Sequence, residues 1–338
     1  MAVTSLPAGP PLEDPGYPVG HRSTTIVDVA RADRALPLDC WYPAAPNGEE
    51  ASNYELLPGI GFTAAGHRDA PAAPGAHPLL IWSHGRSGTR SSYVMLCEGL
   101  AARGYVVVAA DHPGDTLLDW LSGTAVDDDT NEAQRVEDVR FVLDTTLEGG
   151  IEFAGELDRA RIAVAGHSYG AWTAYAFAGA DPVDTRIGAV AGLQPFTRSL
   201  RRRVIAQIAV PALLMAGAQD ETTPPAIDAD RAFGAMRDAL RIDVEAAGHQ
   251  ACSDVGLYLE LAPRVEGVPD LVNEFVQSMA HQITGRAGDP WRPTVGLHLR
   301  TLGAFLDDAL DRNRDTARSD LEAVGQVPGV STRRNDQI

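Results

Sequence analysis

The sequence is poor in cysteine and in long apolar runs, and each shortage excludes a class of protein. Its 338 residues include only three cysteines, Cys40, Cys97 and Cys252, too few for a disulfide framework, and an odd number leaves at least one thiol free. No apolar run is long enough to cross a bilayer. Residues 1–7 lack the basic segment and apolar core of a signal peptide. We therefore expect a cytoplasmic protein with no membrane insertion.

Basic residues are also scarce, and so are metal-binding patterns. Twenty-eight basic residues against 46 acidic ones give a formal net charge of -18, which disfavours nucleic acid as a partner because phosphates repel an acidic surface. The acidic run at residues 127–129 lacks the spaced oxygens and glycine of a calcium loop, and no histidine pair has zinc spacing. We expect neither a metal nor an organic cofactor. Hydrophobic residues make up 44% of the chain, which is ample for a buried core.

The sequence divides into an arm, one domain and a tail. Residues 1–20 are rich in proline and glycine and predict an extended N-terminal arm. Residues 21–312 show no internal repeat and predict a single domain. Within it, residues 44–77 have no clear period, which predicts a long loop over the entrance to the sheet. Residues 313–338 are polar and predict a frayed C-terminal tail.

Eight short runs predict β-strands, the first two as an antiparallel hairpin and the others as buried parallel strands. They are Ser23–Ala30, Leu36–Trp41, Leu79–Ser83, Tyr105–Ala110, Arg161–Ala165, Ile187–Gly192, Ala212–Ala216 and Leu240–Glu245. Helical patterns alternate with them, at Ser91–Arg103, Thr130–Leu147, Ala171–Gly179, Ala226–Ala239 and Thr294–Arg312. This alternation is typical of an α/β fold with an eight-stranded, mostly parallel sheet and helices on both faces.

Residues 253–292 lie between the last predicted strand and the last helix. A helix is predicted at Pro269–Ile283, where apolar residues recur at helical spacing. Two interpretations stay open for this excursion. It forms a small cap over the active site, or its helix packs on the edge of the sheet.

The sharpest motif is the pentapeptide Gly166-His167-Ser168-Tyr169-Gly170. It directly follows a predicted strand and directly precedes a predicted helix of small residues. A G-x-S-x-G sequence in this setting is the nucleophile elbow, a strained turn that raises the serine hydroxyl above the sheet. The sequence therefore predicts Ser168 as the nucleophile.

An acid and a base follow the next strands. Asp220 comes after the strand Ala212–Ala216, on the side of the sheet where α/β folds bind ligands, and we predict it as the acid. Glu221 competes for that role, but its side chain comes one position later. His249 follows a glycine beyond the final strand and is the predicted base. The other eight histidines belong to the elbow, the loop at residue 84, helices, or segments without such a position.

The loop Ser83-His84-Gly85-Arg86 follows a buried strand and carries a glycine. Backbone N–H groups at such a loop can reach the oxyanion of a tetrahedral intermediate, together with the N–H of the residue after the nucleophile. We therefore predict the main-chain N–H groups of Arg86 and Tyr169 as the oxyanion donors. For the Arg86 side chain two roles stay open, contact with a substrate carboxylate or solvation.

With these motifs in place, the chain resembles the α/β-hydrolase superfamily, and within it the predicted dienelactone hydrolase and platelet-activating-factor acetylhydrolase-like serine esterases. The order Ser168, Asp220, His249 is the superfamily order. The resemblance rests on the segments 36–43, 83–85, 111–115, 140–144 and 166–170. It implies the α/β-hydrolase fold, the same nucleophile and base, and structural roles for Asp111 and His112 near the site.

Two departures from these relatives bear on the substrate. In the acetylhydrolase the acid follows the strand after the nucleophile helix, where this chain has Gln194. Glutamine cannot serve as the acid, which strengthens Asp220 and weakens the expectation of a phospholipid substrate. Dienelactone hydrolases use a cysteine nucleophile, and this chain has Ser168.

The sequence thus predicts a serine hydrolase that cleaves a small-molecule carboxylic ester, lactone or thioester through an acyl-enzyme. The residues that shape the pocket would lie in the loops 44–77, 114–131 and 253–292 and do not reveal the acyl or alcohol group. Two other hypotheses stay open. One is an acyltransferase or cyclase of secondary metabolism on the same triad, and the other is a non-catalytic binding protein on a hydrolase scaffold.

Overall fold

The structure is a computed structural model of the chain. It describes residues 4–8, 16–46, 50–57, 60–151, 155–264, 270, 274, 277–285 and 290–336. One large sheet runs through these residues, with helices on both of its faces.

The sheet has twelve strands in the described part of the chain. They are β1 (Thr4–Pro7), β2 (Val19–Asp28), β3 (Arg34–Pro43), β4 (Ala51–Leu57), β5 (Ile60–Arg68), β6 (Ala76–Ser83), β7 (Val106–Ala110), β8 (Glu156–His167), β9 (Ala189–Leu193), β10 (Ala212–Gly217), β11 (Asp238–Val244) and β12 (Val330–Asp336). Their spatial order is β1-β5-β2-β3-β7-β6-β8-β9-β10-β11-β12, and β4 pairs with β5.

All eight predicted strands are present, as β2, β3 and β6 to β11. β2 and β3 form the predicted antiparallel hairpin, and β3 joins the sheet antiparallel to β7. From β7 across to β11 every pairing is parallel. These central strands are buried on both faces, as in β7, where all five residues are buried. The predicted mixed, mostly parallel sheet is therefore confirmed, but the predicted number of eight strands is wrong, because β1, β4, β5 and β12 extend its two edges in the described residues.

Ten helices flank the sheet in the described residues. They are α1 (Val94–Ala102), α2 (Leu117–Ser122), α3 (Asp128–Leu147), α4 (Tyr169–Ala178), α5 (Arg202–Gln207), α6 (Ala229–Phe233), α7 (Val255–Leu261), α8 (His281–Thr284), α9 (Trp291–Ala309) and α10 (Arg314–Gly325). Apolar residues of α1, α7, α9 and α10 pack on one face, and those of α3 to α6 on the other. The predicted helix Ala226–Ala239 is shorter than expected, because β11 already begins at Asp238.

The long loop predicted at residues 44–77 is wrong, since β4 and β5 lie within it. Tertiary contacts rather than a hydrophobic pattern hold these strands. Tyr54 of β4 is buried and donates through its hydroxyl to Glu98 of α1, at 2.6 Å. The same carboxylate accepts the backbone N–H groups of Ala65 and Gly66 on β5, at 2.8 and 2.7 Å. A strand of small residues bound to a distant carboxylate leaves no periodic signal in the sequence.

The frayed tail predicted at residues 313–338 is also wrong over its described part. α10 buries Ala317, Leu321 and Val324 against the core, and β12 adds an antiparallel strand to β11. The outward side of this strand is polar because it lies on the sheet's edge, so its composition resembles a solvated tail. At the other terminus, the extended arm includes β1, which pairs parallel with β5.

The cysteines and the helices bear on the expectations of free thiols and of no membrane insertion. All three cysteines are buried and free. Among the helices of the described residues, none is both long and apolar enough to cross a membrane.

Removal of β12 tests whether the C-terminal segment belongs to the folded unit. Deletion of residues 328–338 would expose the backbone edge of β11, which β12 otherwise covers over seven residue pairs. We expect the melting temperature to fall by about 5 °C or more, with increased aggregation. Deletion of residues 337 and 338 alone leaves β12 in place and is the matched control. Equal melting temperatures for the two truncated proteins would show that β12 contributes nothing to stability.

Candidate active site

Ser168 occupies a strained turn between β8 and α4. Its backbone has φ 54° and ψ -114°, a conformation that non-glycine residues rarely adopt and that costs about 1–3 kcal/mol. Neighbouring strands hold it there. Its N–H donates to the carbonyl of Leu193 at the end of β9, at 2.9 Å, and its carbonyl accepts the N–H of Phe196, at 3.1 Å. The structure places this serine as the elbow motif predicts.

Both glycines of the pentapeptide are required by close backbone contacts. A Cβ atom on Gly166 would lie 2.4 Å from the carbonyl carbon of Gly170. A Cβ atom on Gly170 would lie 1.9 Å from the carbonyl oxygen of Ser83, at the end of β6. Because no side chain fits at these distances, only glycine lets α4 begin so close to β6 and β8.

Asp220 and His249 form a buried pair beyond the ends of β10 and β11. His249 Nδ1 donates to Asp220 Oδ2 at 2.9 Å, and both residues are at least 95% buried. Asp220 Oδ1 accepts the N–H groups of Thr222 and Thr223, at 2.9 and 2.8 Å, and Oδ2 accepts the Thr223 hydroxyl at 2.6 Å. Burial opposes ionisation of Asp220, but the contacts with His249 and Thr223 outweigh it, so the pKa of this carboxyl is lowered. An ionised Asp220 fixes the histidine with its proton on Nδ1.

His167, the residue before Ser168, contacts the loop that carries His249. His167 is buried, its ring lies 4.8 Å from the His249 ring between centroids, and its Nε2 donates to the His249 carbonyl at 2.7 Å. Its Nδ1 accepts the hydroxyl of Tyr93, also at 2.7 Å. Burial, followed by the nearby His249, lowers the pKa of His167 to about 3, so the ring is neutral. Within the described residues, no hydrogen bond joins Ser168 Oγ to His249, a bond that often tightens only when substrate binds.

The loop predicted to bind the oxyanion lies against Ser168. A Cβ atom on Gly85 would be 3.4 Å from the Cβ of Ser168. The N–H of Gly85 donates to the Tyr93 hydroxyl and that of Ser87 to Asp115, at 3.2 and 3.3 Å. By contrast, no acceptor in the described part of the chain receives the N–H groups of Arg86 or Tyr169. Their role as oxyanion donors stays a prediction.

The Arg86 side chain is engaged by the protein. It is 41% exposed, its Nη2 lies 2.5 Å from Asp128 Oδ1, and its guanidinium lies over the Tyr169 ring at 5.1 Å from the centroid. The sequence left two roles open for this side chain, contact with a substrate carboxylate or solvation. In the structure it forms an ion pair with Asp128 and packs on the Tyr169 ring.

Asp111 and His112, predicted as structural, lie in polar networks behind the oxyanion loop. His112 is buried and links the hydroxyl of Ser83, at 2.8 Å from Nε2, to Asp138, at 3.0 Å from Nδ1. Asp111 pairs with Arg90. The carboxylate of Asp138 is completely buried, yet the contacts with Arg34 and His112 outweigh burial and lower its pKa. Sequence patterns missed the arginines of this network because they lie on distant elements.

Gln194 holds the site together without supplying an acid. Its side-chain Nε2 donates to Nε2 of the buried His298 in α9, at 2.8 Å. Its carbonyl accepts the hydroxyl of Thr223 at 3.1 Å, so it touches the same threonine that binds Asp220. The residue after β9 therefore contacts the same threonine as Asp220, the predicted acid after β10.

The described ends of the excursion at 253–292 contact the loop of the predicted base. The N–H groups of Gly248 and Gln250 donate to the carbonyls of Ile283 and Gln282, at 2.9 and 2.6 Å. A Cβ atom on Gly248 would lie 2.3 Å from the carbonyl oxygen of Gln282. Residues 269, 271–273, 275 and 276 of the predicted helix Pro269–Ile283 lie outside the described residues, so the cap stays a prediction.

The described residues contain no group of three or more histidine, cysteine, aspartate or glutamate side chains arranged to hold a metal ion. The acidic run at residues 127–129 instead starts a helix. Asp127 accepts the N–H of Thr130 at 2.9 Å and caps α3, and the two aspartates after it lie in the first turn, where the helix dipole favours negative charge.

Asp254, which the sequence did not single out, joins the loop of His249 to the helix that follows the oxyanion loop. Its buried carboxylate accepts the N–H groups of Val94 and Met95 at the start of α1. Burial raises its pKa to about 7. Five other titratable groups surround it. Tyr93 precedes α1, Cys97 and Glu98 lie on α1, Cys252 precedes α7 and Tyr258 lies on α7.

The chain is similar in sequence to known proteins over part of its length. A sequence profile of the chlorophyllase family matches residues 69–211. A probable 1-alkyl-2-acetylglycerophosphocholine esterase of Arthroderma benhamiae is 30% identical over 106 residues, which cover 28% of this chain and 25% of that protein. The matched region thus spans a quarter of the curated relative's length.

A solved structure covers nearly the whole chain. The ferulic acid esterase from Streptomyces cinnamoneus superposes with a TM-score of 0.69 over 97% of this chain and 99% of its own, at 23% sequence identity. Identity this low shows a shared fold. The resemblance to the α/β-hydrolases that the motifs predicted is confirmed.

Asp254 generates a prediction about stability and pH. The folded protein keeps its proton up to about pH 7, whereas an unfolded aspartate releases it near 3.8, so the stability linked to this proton is lost as the pH rises through that range. Asp254→Asn has no such proton. We expect its melting temperature, relative to that of the unmodified protein, to rise between pH 5 and pH 8. A difference that stays constant across this range would contradict the raised pKa.

Proposed function

We propose that this chain, which has the α/β-hydrolase fold, hydrolyses carboxylic esters through an acyl-enzyme on Ser168. The observation that carries the proposal is a serine held in a strained turn at the start of a helix, with a buried Asp220–His249 pair on the adjacent loops. This is the arrangement that activates a hydroxyl for attack on an acyl carbon.

His249 would act as the base and then the acid. Its Nδ1 proton is held by Asp220, which leaves Nε2 free of a proton and able to take one from Ser168 as Oγ attacks the ester carbonyl. The same proton then passes to the departing alcohol. Water repeats the cycle on the acyl-enzyme, with His249 taking its proton, and releases the carboxylic acid. Asp220 stabilises the imidazolium in both halves of the reaction.

Two backbone N–H groups would bind the oxyanion. Arg86 follows Gly85, which lies against Ser168, and Tyr169 is the residue after Ser168; neither N–H group donates to a protein acceptor in the described residues. Tyr169 is the first residue of α4, so the positive end of the helix dipole adds to its donor. Donors fixed before the reaction stabilise the tetrahedral intermediate without reorganising.

The substrate class follows from what the comparisons have in common. Both named proteins are esterases, and their names specify different substrates. Because the shared chemistry is cleavage of an ester, we propose a small-molecule carboxylic ester as the substrate of this chain, without transferring either relative's substrate to it.

Substitution of the nucleophile tests the proposal directly. We expect p-nitrophenyl esters to be hydrolysed at pH 8 in the presence of a chelator, and Ser168→Ala to lower kcat/KM by about 10³-fold or more. Ser331→Ala changes an exposed serine on the edge strand β12 and is the control. A series of acyl lengths would measure the size of the acyl pocket, and adding alcohols would reveal acyl transfer. A folded protein that is inactive on every ester, or a Ser168→Ala variant with full activity, would refute the proposal.

The two adjacent acids offer a matched test of the triad. Asp220→Asn keeps the shape but places an N–H donor against His249 Nδ1, which favours the wrong tautomer, so we expect kcat to fall by about 10³–10⁴-fold. Glu221→Gln changes an exposed neighbour and should leave kcat within about twofold. Comparable losses in the two variants would show that Asp220 is not the acid.

A further inference from the structure

We infer that Arg135 is a positioning residue that orients and polarises the peptide group carrying the Arg86 oxyanion donor. This inference rests on the proposed function, since it assigns a role within the same site. Arg135 lies on α3, more than forty residues from the oxyanion loop in sequence, and its side chain is completely buried. A buried arginine needs a specific set of acceptors, and two of those of Arg135 are carbonyl groups of the oxyanion loop.

The guanidinium of Arg135 reaches two consecutive carbonyl groups of that loop. Nη1 donates to the carbonyl of His84 at 2.8 Å, and Nη2 donates to that of Gly85 at 3.3 Å. Its charge is balanced by the buried Asp115, whose Oδ2 lies 2.9 Å from Nε and 2.8 Å from Nη2. The planar fork of arginine can satisfy these acceptors together, which a lysine could not do.

The carbonyl of Gly85 belongs to the same peptide group as the N–H of Arg86. In a trans peptide the C=O and N–H bonds point in opposite directions, so fixing one fixes the other. Three donors converge on this carbonyl oxygen: His84 Nδ1 at 2.7 Å, the N–H of Gly88 at 3.0 Å and Arg135 Nη2 at 3.3 Å. The Arg86 N–H, which has no acceptor in the described residues, therefore points away from Arg135.

Of the two side chains that bind the Gly85 carbonyl, Arg135 is charged and His84 is neutral. His84 Nε2 accepts the N–H of His112 at 3.1 Å, so the proton of the neutral ring is on Nδ1, directed at the Gly85 carbonyl. Burial, followed by the charge of Arg135, holds the pKa of His84 well below its usual range. A neutral histidine and a charged arginine therefore share one carbonyl, and hydrogen bonds to that oxygen strengthen the donor at the other end of the peptide.

The following residue is tied down through the same ion pair. Asp115 Oδ1 accepts the N–H of Ser87 at 3.3 Å, while Oδ2 binds Arg135 and the side-chain amide of Asn131, at 2.6 Å. The residues on both sides of Arg86 are thus held by groups that meet at α3. Ser87 has φ 54°, a left-handed conformation that this contact helps to maintain.

Loss of Arg135 should slow the chemical step more than it weakens substrate binding. The oxyanion donors bind the neutral carbonyl of the bound ester weakly, whereas they stabilise the negative oxygen of the tetrahedral intermediate strongly. We therefore expect Arg135→Gln to lower kcat by about 10- to 100-fold with KM changed less than about threefold. Arg135→Lys keeps the charge without the planar fork, and we expect its kcat to lie between those of the Gln variant and the unmodified protein.

The control is another buried arginine. Arg241 on β11 is 3% exposed in its side chain and pairs with Asp230 and Asp243, away from the oxyanion loop. Arg241→Gln should lower the melting temperature, as Arg135→Gln should, but leave kcat within about twofold. This pair separates loss of a buried ion pair from loss of oxyanion positioning.

Labelling with a fluorophosphonate gives a readout that needs no known substrate. The reagent forms an O–P bond to the serine as fluoride leaves, and its phosphoryl oxygen occupies the oxyanion site, so its rate reports on the same donors. Folded Arg135→Gln and Arg135→Lys proteins with slowed labelling and lowered kcat, beside normal values for Arg241→Gln, would support the assignment. If Arg135→Gln does not fold, Arg135→Lys with labelling and kcat equal to the unmodified protein overturns it. An unmodified protein that is neither labelled nor active would instead refute the proposed function.

Discussion

Among the described glycines, the tightest backbone approach is at Gly170, where the start of α4 meets the ends of β6 and β8. Gly170 lies so near the carbonyl of Ser83 that only a glycine fits, and Gly166 likewise has no room for a side chain beside Gly170. This contact fixes the strained backbone of Ser168 and sets the height of its hydroxyl above the sheet. The same crossing brings the end of β6, where the predicted oxyanion loop begins, beside Ser168, the proposed nucleophile. The remaining site residues are arranged on loops around this point.

Buried ion pairs around that crossing hold the loops of the site in place. Every one of the 28 basic residues is an arginine, and the chain has an excess of 18 acidic charges. Carboxylates are therefore plentiful as partners, and Arg135–Asp115 and the Arg34–Asp138–His112 group use them inside the fold. Burying such groups is costly unless every donor and acceptor is paired, so these clusters favour one arrangement of the loops over alternatives. Planar guanidinium groups suit this role because each can bind several oxygens at once.

The parts of the fold that local patterns determine could be predicted from the sequence. The eight central strands and the elbow follow from apolar runs and glycines whose effects are confined to a few neighbouring residues. The edge strands β4, β5 and β12 could not, because polar or small residues make up most of them and contacts with Glu98 or β11 hold them. Likewise the positions of Asp220 and His249 follow from strand order, but the contributions of His167, Asp254 and Arg135 depend on which distant elements meet.

Contacts around Gln194 explain why the proposed acid, Asp220, follows β10 rather than β9. Relatives that carry the acid after the strand following the nucleophile helix would place it where this chain has Gln194. Here the Gln194 carbonyl and Asp220 share the hydroxyl of Thr223, and the Gln194 side chain contacts the buried His298. A carboxylate at residue 194 would put two negative charges near one threonine and one base, and burial with like charge would force one of them to stay protonated. A neutral amide at this position therefore leaves Asp220 as the single ionised partner of His249, which is the condition under which that histidine keeps one tautomer.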